Sequence, residues 1–278
     1  IELGPVLREA LFSKAETTVL TSATLTTRRR FDFLRERLGL DEGGLAELER
    51  PLEVGERVVS SPFDFREQSL VVVPTDLPDP QAEPEALNRE TVRVVLELAE
   101  RTDGGILALF TSFRSLREVA DGLRARSADA RWPLFVQGES DRSRLLTGFA
   151  GDGRGILLGT ASFWEGVDVP GDPLRGLVIQ RIPFRVPTEP VTAARVEALE
   201  RRGGNAFYGY ILPLAALRLK QGFGRLIRSR SDRGAVVILD DRIVRRRYGA
   251  YLRDSLPDSP LAKGPWDEVS RHLQRFYG

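Results

Sequence analysis

Seven short apolar runs recur along the chain, and turn or charged residues flank each of them. Runs of this length without polar alternation are typical of strands that are buried on both faces. Amphipathic patterns between them predict helices over 85–102, 114–126 and 191–202. This alternation predicts an α/β fold, in which helices flank a parallel sheet on both faces. The apolar runs are TTVLT (17–21), LVVV (70–73), ILALF (106–110), PLFV (133–136), ILLG (156–159), GLVIQ (176–180) and AVVIL (235–239).

Composition narrows the classes of function. The 278 residues carry 41 Lys+Arg against 40 Asp+Glu, so any contact with a nucleic acid must be local. No cysteine occurs and His272 is the only histidine, so we expect no metal site on this chain. No apolar run approaches the length of a membrane span and no signal peptide is present, so we expect a cytoplasmic protein with no membrane partner. The chain begins with Ile and contains no Met, which indicates a fragment.

Polar residues directly follow five of the predicted strands. Because the carboxyl ends of parallel strands meet at one edge of a sheet, these residues should lie close together. Hydroxyl and amide groups there suit phosphate oxygens, and we expect the arginine-rich segment near residue 228 on the same rim. The alternative is that each residue is an ordinary helix N-cap. The set comprises Thr21, Ser22, Ala23, Thr24, Thr111, Ser112, Phe113, Gln137, Gly138, Thr160, Ser162, Glu165, Gly166, Asp168, Asp240, Asp241 and Arg242.

The segment KQGFGRLIRSRSDRG (220–234) combines apolar residues at helical spacing with two interior glycines, Gly222 and Gly224, and five basic side chains. On one continuous helix, Gln221, Arg225 and Arg228 share a face, and an apolar stripe occupies the other side. Each glycine costs about 1 kcal/mol relative to Ala inside a helix. Close approach of another group to the backbone would account for that cost. The alternative is a solvated surface helix whose charges pair with one another.

At these residues the chain resembles the DinG/XPD group of superfamily-two helicases. QGFGRLIRSRSDRGAVVILDDR (221–242) is similar to their motif VI, Q-x-x-G-R-x-x-R followed by a strand and D-x-R. LTSATLTT (20–27) resembles motif III, GILALFTSFRSL (105–116) motif IV, and ILLGTASFWEGVDVPGDPLRGLVIQRIPF (156–184) motif V. The four motifs occur in the order that the family requires. The resemblance therefore covers nearly the whole chain.

The resemblance implies that residues 26–278 form a second RecA-like motor domain and that residues 1–25 are the end of the first. Two such domains clamp ATP and Mg²⁺ between them, and the second supplies an arginine finger. Arg228 is the candidate for that finger, with Arg225 and Gln221 ordering the cleft. The resemblance also implies a set of residues on the nucleotide-binding side of the domain, namely Glu165, Gly166, Asp168, Asp240 and Arg242. It places along single-stranded DNA Ser22, Thr24, Thr111, Ser112, Phe113, Gln137, Gly138, Thr160 and Ser162.

Two phenylalanines follow strand ends and are candidate surfaces for base stacking. These are Phe113 and Phe163. Packing in the core is the alternative for each of them.

The chain contains neither a Walker A pattern nor a D-E-x-H block. The implied activity is that of an ATP-dependent 5′-3′ DNA helicase, with the phosphate-binding loop and the first motor domain on a missing half of the protein. An iron–sulfur cluster belongs on that half, if anywhere, and we expect this chain to be inactive alone. Two alternatives stay open: a non-catalytic module that binds single-stranded DNA, and an unrelated doubly wound nucleotide-binding enzyme.

Overall fold

The computed structural model describes residues 2–48, 51–126, 128–160, 163 and 174–278. By internal contacts the chain divides into two compact units. One consists of Ile1–Ser61 and Arg185–Leu217, and the other of Pro62–Phe184 and Arg218–Gly278. We call them the helical unit and the sheet unit. The predicted domain boundary after residue 25 stays a prediction.

The sheet unit is built on seven parallel strands in the order β3-β4-β2-β5-β6-β1-β7. Leu107 at the centre lies between Leu157 of β4 and Leu177 of β5, and all three are buried. Apolar side chains on both faces of these strands account for their burial. The strands are β1 (Ser69–Pro74), β2 (Ile106–Leu109), β3 (Leu134–Val136), β4 (Ile156–Gly159), β5 (Gly176–Ile179), β6 (Gly234–Ile238) and β7 (Leu261–Gly264).

The helices observed among the described residues vary from one turn to nineteen residues. In chain order they are α1 (Leu3–Leu7), α2 (Asp32–Leu38), α3 (Glu42–Ala46), α4 (Phe65–Gln68), α5 (Pro84–Thr102), α6 (Phe113–Ala125), α7 (Ala128–Arg131), α8 (Arg142–Asp152), α9 (Pro190–Arg201), α10 (Leu212–Phe223), α11 (Arg242–Arg245), α12 (Gly249–Arg253) and α13 (Trp266–Tyr277). Arg8–Phe12 and Phe207–Ile211 are π-helical.

Local sequence signals explain the longest helix. Pro84 stands at the start of α5, where the missing N–H costs nothing. The helix buries Leu87, Val95 and Leu98 in the core and ends where Asp103 takes a left-handed conformation, φ 52°. All three predicted helices are confirmed within one residue at each end. Within the described residues, no helix is long and apolar enough to cross a membrane.

Six of the seven predicted strands are confirmed, and the first is wrong. Residues 17–21 form no strand, and the side chain of Val19 is 76% exposed. A strand requires a hydrogen-bonded neighbour, and none of the seven paired strands takes this segment as a partner. The sequence did not predict β7, because its four residues, LAKG, contain no apolar run. As the last strand of the sheet, β7 pairs only with β1 and does not need side chains that are buried on both faces.

Candidate functional site

The predicted polar residues after β3 and β4 meet at the carboxyl edge of the sheet. The side-chain oxygen of Gln137 accepts hydrogen bonds from the backbone N–H of Thr160 at 2.6 Å and from its hydroxyl at 3.0 Å. Thr160 is buried, and Gln137 is half-buried. Gly138 is exposed and has φ +99°, a conformation that favours glycine. The Gln137 side chain therefore links the turn after β3 to the end of the adjacent strand β4.

The residues that follow β2, the neighbour of β4, are exposed. Ser112 is the N-cap of α6, since its hydroxyl accepts from the backbone N–H of Ser115 at 3.2 Å. Ser112 is therefore an ordinary helix N-cap, as the alternative predicted. Its side chain is nevertheless exposed at the protein surface. Thr111 and Phe113 are exposed as well, Phe113 to 46%. Thr111, Ser112 and Phe113 are therefore accessible to solvent at the carboxyl end of β2.

Phe113 and Phe163 have different environments. Phe163 is 1% exposed, and a Cβ at Gly159 would come within 2.6 Å of its ring. The packing alternative is therefore observed for Phe163, whereas nearly half of the Phe113 side chain faces solvent. Only Phe113 of the two has the accessible ring that base stacking requires.

Asp240 and Arg242, which follow β6, bind each other. Two guanidinium nitrogens of Arg242 approach the Asp240 carboxylate at 2.8 and 2.6 Å, with side-chain exposures of 15% for Arg242 and 0% for Asp240. The backbone N–H of Ile182, after β5, donates to the same carboxylate at 2.9 Å. The hydrogen bond to Asp240 raises the pKa of Arg242. This buried pair ties the carboxyl ends of β5 and β6 together.

Arg181 is a cation at the carboxyl edge that the sequence reading missed. Arg181 directly follows the predicted strand GLVIQ. The other candidates were chosen because they follow predicted strands, so the same criterion would have found Arg181. Burial lowers its pKa, and the charge of Arg242 lowers it further, although Asp240 acts in the opposite direction. Its Nε atom is buried and has no hydrogen-bond partner within the described residues.

The helix through the arginine-rich segment ends early, so the expected common face of Gln221, Arg225 and Arg228 is wrong. α10 stops at Phe223, and the N–H groups of Arg225 and Leu226 bond to carbonyls three residues back. A tight turn therefore follows α10, and Gln221 alone of the three polar residues lies on the helix. The apolar stripe is confirmed, because buried side chains are found at Leu219, Phe223, Leu226 and Ile227.

Gly222 and Gly224, the two interior glycines of the segment, have different surroundings. Gly222 is buried, whereas Gly224 is exposed. A Cβ at Gly224 would meet only the carbonyl oxygens of Lys220 and Gln221, at ordinary contact distances of 3.4 and 3.6 Å. No other described residue packs closely against Gly224, which lies one residue beyond the end of the helix, so the expected close approach of a group from across the cleft stays a prediction.

The loop that carries Arg228 lies at the amino edge of the sheet. Gln68, the residue before β1, donates from its side-chain nitrogen to the carbonyl oxygens of Ser229 and Asp232, each at 2.8 Å. Phe65, also before β1, packs edge-to-face on Phe223 at the end of α10. The expectation that the arginine-rich segment shares the rim of the strand-end hydroxyls is therefore wrong. The reason is topological, because the segment leads into β6 rather than out of it.

Asp232 fixes the conformation of this loop. Its carboxylate accepts from the backbone N–H of Arg228 at 2.6 Å, the N–H of Ser229 at 2.8 Å and the Ser229 hydroxyl at 2.6 Å. Burial by itself raises the pKa of Asp232, but these hydrogen bonds lower it overall. The backbone that presents Arg228 is thus held by a charged acceptor.

Ser22 and Thr24 lie in the helical unit, in an exposed segment outside any helix or strand. Their hydroxyl oxygens are 3.2 Å apart, and the Thr24 N–H donates to the Ser22 hydroxyl. Four further candidates lie outside the described residues, namely Ser162, Glu165, Gly166 and Asp168. Among the residues that the structure describes, no group of three His, Cys, Asp or Glu side chains could hold a metal ion.

The sheet, its flanking helices and the polar strand ends define a RecA-like domain. The solved structure titled "XPD_Helicase" shares the fold with a TM-score of 0.52 at 17% identity, over 70% of this chain and 35% of that one. "Structure of S. tokodaii Xpd4" also gives 0.52, at 15% identity, over 93% of this chain and 57% of that one. The predicted fold class is confirmed.

The profile of the family described as "Helicase C-terminal domain" matches residues 95–259, more than half of the chain. The chain therefore belongs to this family, and its resemblance to the DinG/XPD group is confirmed.

Three curated relatives share the sequence over nearly all of this chain. Identity is 37% to the 3′-5′ exonuclease DinG of Bacillus subtilis, over 98% of this chain and 29% of the relative. Identity to the ATP-dependent DNA helicase DinG of Photobacterium profundum is 39%, over 92% of this chain and 36% of the relative. Identity to the ATP-dependent DNA helicase YoaA of Escherichia coli is 37%, over 95% of this chain and 39% of the relative. The chain thus spans about a third of the length of these relatives.

Proposed function

We propose that this chain is the C-terminal motor domain of a cytoplasmic ATP-dependent DNA helicase that moves 5′ to 3′ on single-stranded DNA. Its partner is the N-terminal motor domain of the same protein, and its work is DNA repair or replication. Support comes from family membership, from the RecA-like fold and from relatives named ATP-dependent DNA helicase. The observation that carries the proposal is the Arg228 loop, whose backbone Asp232 and Gln68 hold in place.

In this proposal Arg228 is the arginine finger. A guanidinium stabilises charge that develops on the phosphoryl oxygens in the transition state, and its loss typically costs about 10³–10⁵ in rate. A fixed backbone serves this role because a preorganised charge needs no rearrangement during the reaction. Arg225 and Gln221 then order the same side of the cleft, Arg225 from the turn and Gln221 from the last turn of α10.

The nucleotide and its metal ion divide between the two halves of the protein. Arginine side chains suit phosphate oxygens, which supports a phosphate-facing role for the Arg228 loop. The sequence lacks the D-E-x-H block whose carboxylate would hold Mg²⁺, so we assign the metal ion to the missing motor domain. An iron–sulfur cluster, if the full protein holds one, also belongs to that half, because this chain has no cysteine. ATP hydrolysis by this chain alone is therefore not expected.

Single-stranded DNA is assigned to the carboxyl edge of the sheet. Hydroxyl and amide groups there suit a backbone contact that does not depend on base sequence. Exposed groups at Thr111, Ser112 and Gly138 are accessible to phosphates, and Phe113 is accessible to a base. Arg181 adds a cation on the neighbouring strand end.

The test reunites the chain with the N-terminal part of its own protein and measures ATP hydrolysis with and without single-stranded DNA. We expect DNA to stimulate hydrolysis and Arg228→Ala to reduce the rate by about 10³-fold or more. Arg230→Ala is the matched control, since Arg230 is an exposed arginine two residues further along the same loop. The control variant should hydrolyse ATP at close to the unmodified rate.

Two outcomes would overturn the proposal. Absence of DNA-stimulated hydrolysis in the reunited protein, with binding of single strands intact, would favour the non-catalytic binding module. Equal rates for Arg228→Ala and the unmodified protein would remove the arginine-finger assignment.

A further inference from the structure

A second concentration of arginines lies in the helical unit. Arg37 and Phe33 are four residues apart on α2, and the guanidinium carbon of Arg37 lies 5.3 Å from the centre of the Phe33 ring. The same carbon lies 5.7 Å from the centre of the Tyr210 ring. The guanidinium carbon of Arg195, on α9, also lies 5.7 Å from that centre. Two guanidinium groups therefore share one buried tyrosine.

A third arginine adds to the positive charge. Burial lowers the pKa of Arg37 most, and the charges of Arg195 and Arg185 lower it further against the opposing influence of Tyr210. Glu189 lies 3.5 Å from Arg185. Burial and the charge of Asp41 raise the pKa of Glu36, the residue before Arg37, and the charge of Arg37 only partly opposes them. The Nε atom of Arg185 is buried without a hydrogen-bond partner among the described residues. Within the same residues, neither Arg37 nor Arg195 forms an ion pair with a carboxylate.

Such an arrangement is unfavourable for the isolated chain. Like charges in a partly buried site repel each other, and burial removes the water that would screen them. An anion between the guanidinium groups would relieve both costs. Arginine forks match the oxygen geometry of phosphate, and each fork donates two parallel hydrogen bonds.

We propose that Arg37 and Arg195, which contact the Tyr210 ring, form with the nearby Arg185 a cluster that binds a phosphate group of a single-stranded nucleic acid. The pairing of basic side chains with aromatic rings is typical of surfaces that bind single strands without sequence preference. The identity of the ligand rests on the proposed function, whereas the site itself rests on the arginine geometry. All four residues belong to the helical unit, and none of them is among the candidates at the carboxyl edge of the sheet.

The experiment measures binding of a fluorescein-labelled oligothymidylate to the chain by fluorescence anisotropy, without nucleotide, over a range of salt concentrations. Each phosphate contact contributes about 0.7 to the slope of log K against log salt for single strands. Arg37→Gln/Arg195→Gln should therefore lower the slope by about 1.4 and weaken binding about tenfold or more at low salt. The control Arg201→Gln/Arg202→Gln removes the same charge from two exposed arginines of the helical unit and should keep the slope.

A second measurement separates this role from a structural one. If the cluster exists for an anion, the glutamine variant should unfold at the same temperature as the unmodified chain or higher, because repulsion is relieved. Arg37→Lys/Arg195→Lys keeps both charges and should keep the salt slope. Unchanged binding in the glutamine variant would overturn the proposal, and so would a loss of binding in the lysine variant as large as in the glutamine variant.

Two further arms identify the ligand. Inorganic phosphate at matched ionic strength should displace the oligonucleotide only weakly, since it makes fewer contacts. Binding of phosphate by a chain that does not bind the oligonucleotide would overturn the nucleic-acid assignment. Arg228→Ala should bind the oligonucleotide normally, so a failure of the ATPase test and a failure at this cluster give different results.

Discussion

The two edges of the parallel sheet use polar groups differently. At the carboxyl edge, polar side chains bind across adjacent strands, as Gln137 binds Thr160 and as Asp240 binds both Arg242 and the backbone after β5. At the amino edge, the carboxylate of Asp232 and the side-chain amide of Gln68 both bind the backbone of one loop. The first arrangement holds strands together, and the second holds one arginine-bearing loop in a defined conformation.

This contrast predicts different consequences of mutation. Changes at the carboxyl edge should act mainly on stability, because the bonds there join elements of the core. Changes to Asp232 at the amino edge should cost less stability and more activity, because its hydrogen bonds fix the backbone that presents Arg228 while the buried Leu226 and Ile227 still pack in the core. The predictions below test this difference.

The largest effect on stability is expected from Asp240→Ala. Removing one partner of a buried ion pair costs about 3–5 kcal/mol, because the other charge stays buried without its counter-ion. Urea unfolding should show this loss, and Asp240→Ala/Arg242→Ala should recover a large part of it. A loss of under about 1 kcal/mol for Asp240→Ala would mean that the pair does not tie β5 to β6.

A smaller loss of about 1–2 kcal/mol is expected for Asp232→Ala, since three hydrogen bonds to the loop disappear. Because folding lowers the pKa of Asp232, its contribution is present above the ordinary value of 3.8 and is lost as the pH falls through the folded value. The stability difference between variant and unmodified chain should therefore be full above about pH 5 and shrink in stronger acid. A difference that grows in acid would contradict the assigned hydrogen bonds.

Replacing glycine by alanine should change stability in opposite directions at Gly138 and at Gly151. Gly138→Ala should destabilise by about 1–2 kcal/mol, since φ +99° strains an L residue although the space around it is open. Gly151→Ala, inside α8 and equally open, should stabilise by up to about 1 kcal/mol. Thermal unfolding of the two variants checks the signs, and equal signs would contradict the turn after β3.

The smallest effect is expected from Thr160→Val, which removes one hydroxyl that donates to Gln137. The loss should be about 1 kcal/mol, since one hydrogen bond disappears and the packing volume is retained. Thr160→Ser keeps the hydroxyl and serves as the control, so urea unfolding of the two variants isolates the bond. A Val variant as stable as the Ser variant would show that this bond contributes little to the carboxyl edge.

The sequence predicts the sheet well because each strand is a short apolar run whose partners bury it on both faces. It also predicts that Gln137 and Thr160 lie at the same edge of the sheet, since parallel strands bring their carboxyl ends together, but not that the two residues bind each other. It fails where structure depends on neighbours distant in sequence. TTVLT has strand composition but no paired strand, and LAKG forms a strand because β1 is beside it.

The arginine-rich segment shows a different limit. Helical spacing alone places Arg225 and Arg228 beside Gln221, but the spacing does not reveal that the helix ends at Phe223. Gly224, one residue later, was the available signal, since glycine commonly follows a helix end. The arginines near Tyr210 were beyond prediction, because Arg37 lies far along the chain from Arg185 and Arg195.

The central claim is that Arg228 acts on the transition state from a loop fixed at the amino edge. Steady-state ATP hydrolysis by Arg228→Lys in the reunited protein tests it most directly, because lysine keeps the charge but not the planar fork. We expect kcat to fall by about 10²-fold or more while KM for ATP stays within a few-fold of the unmodified value. A raised KM with an unchanged kcat would contradict the claim, because it would show that Arg228 only helps to bind ATP.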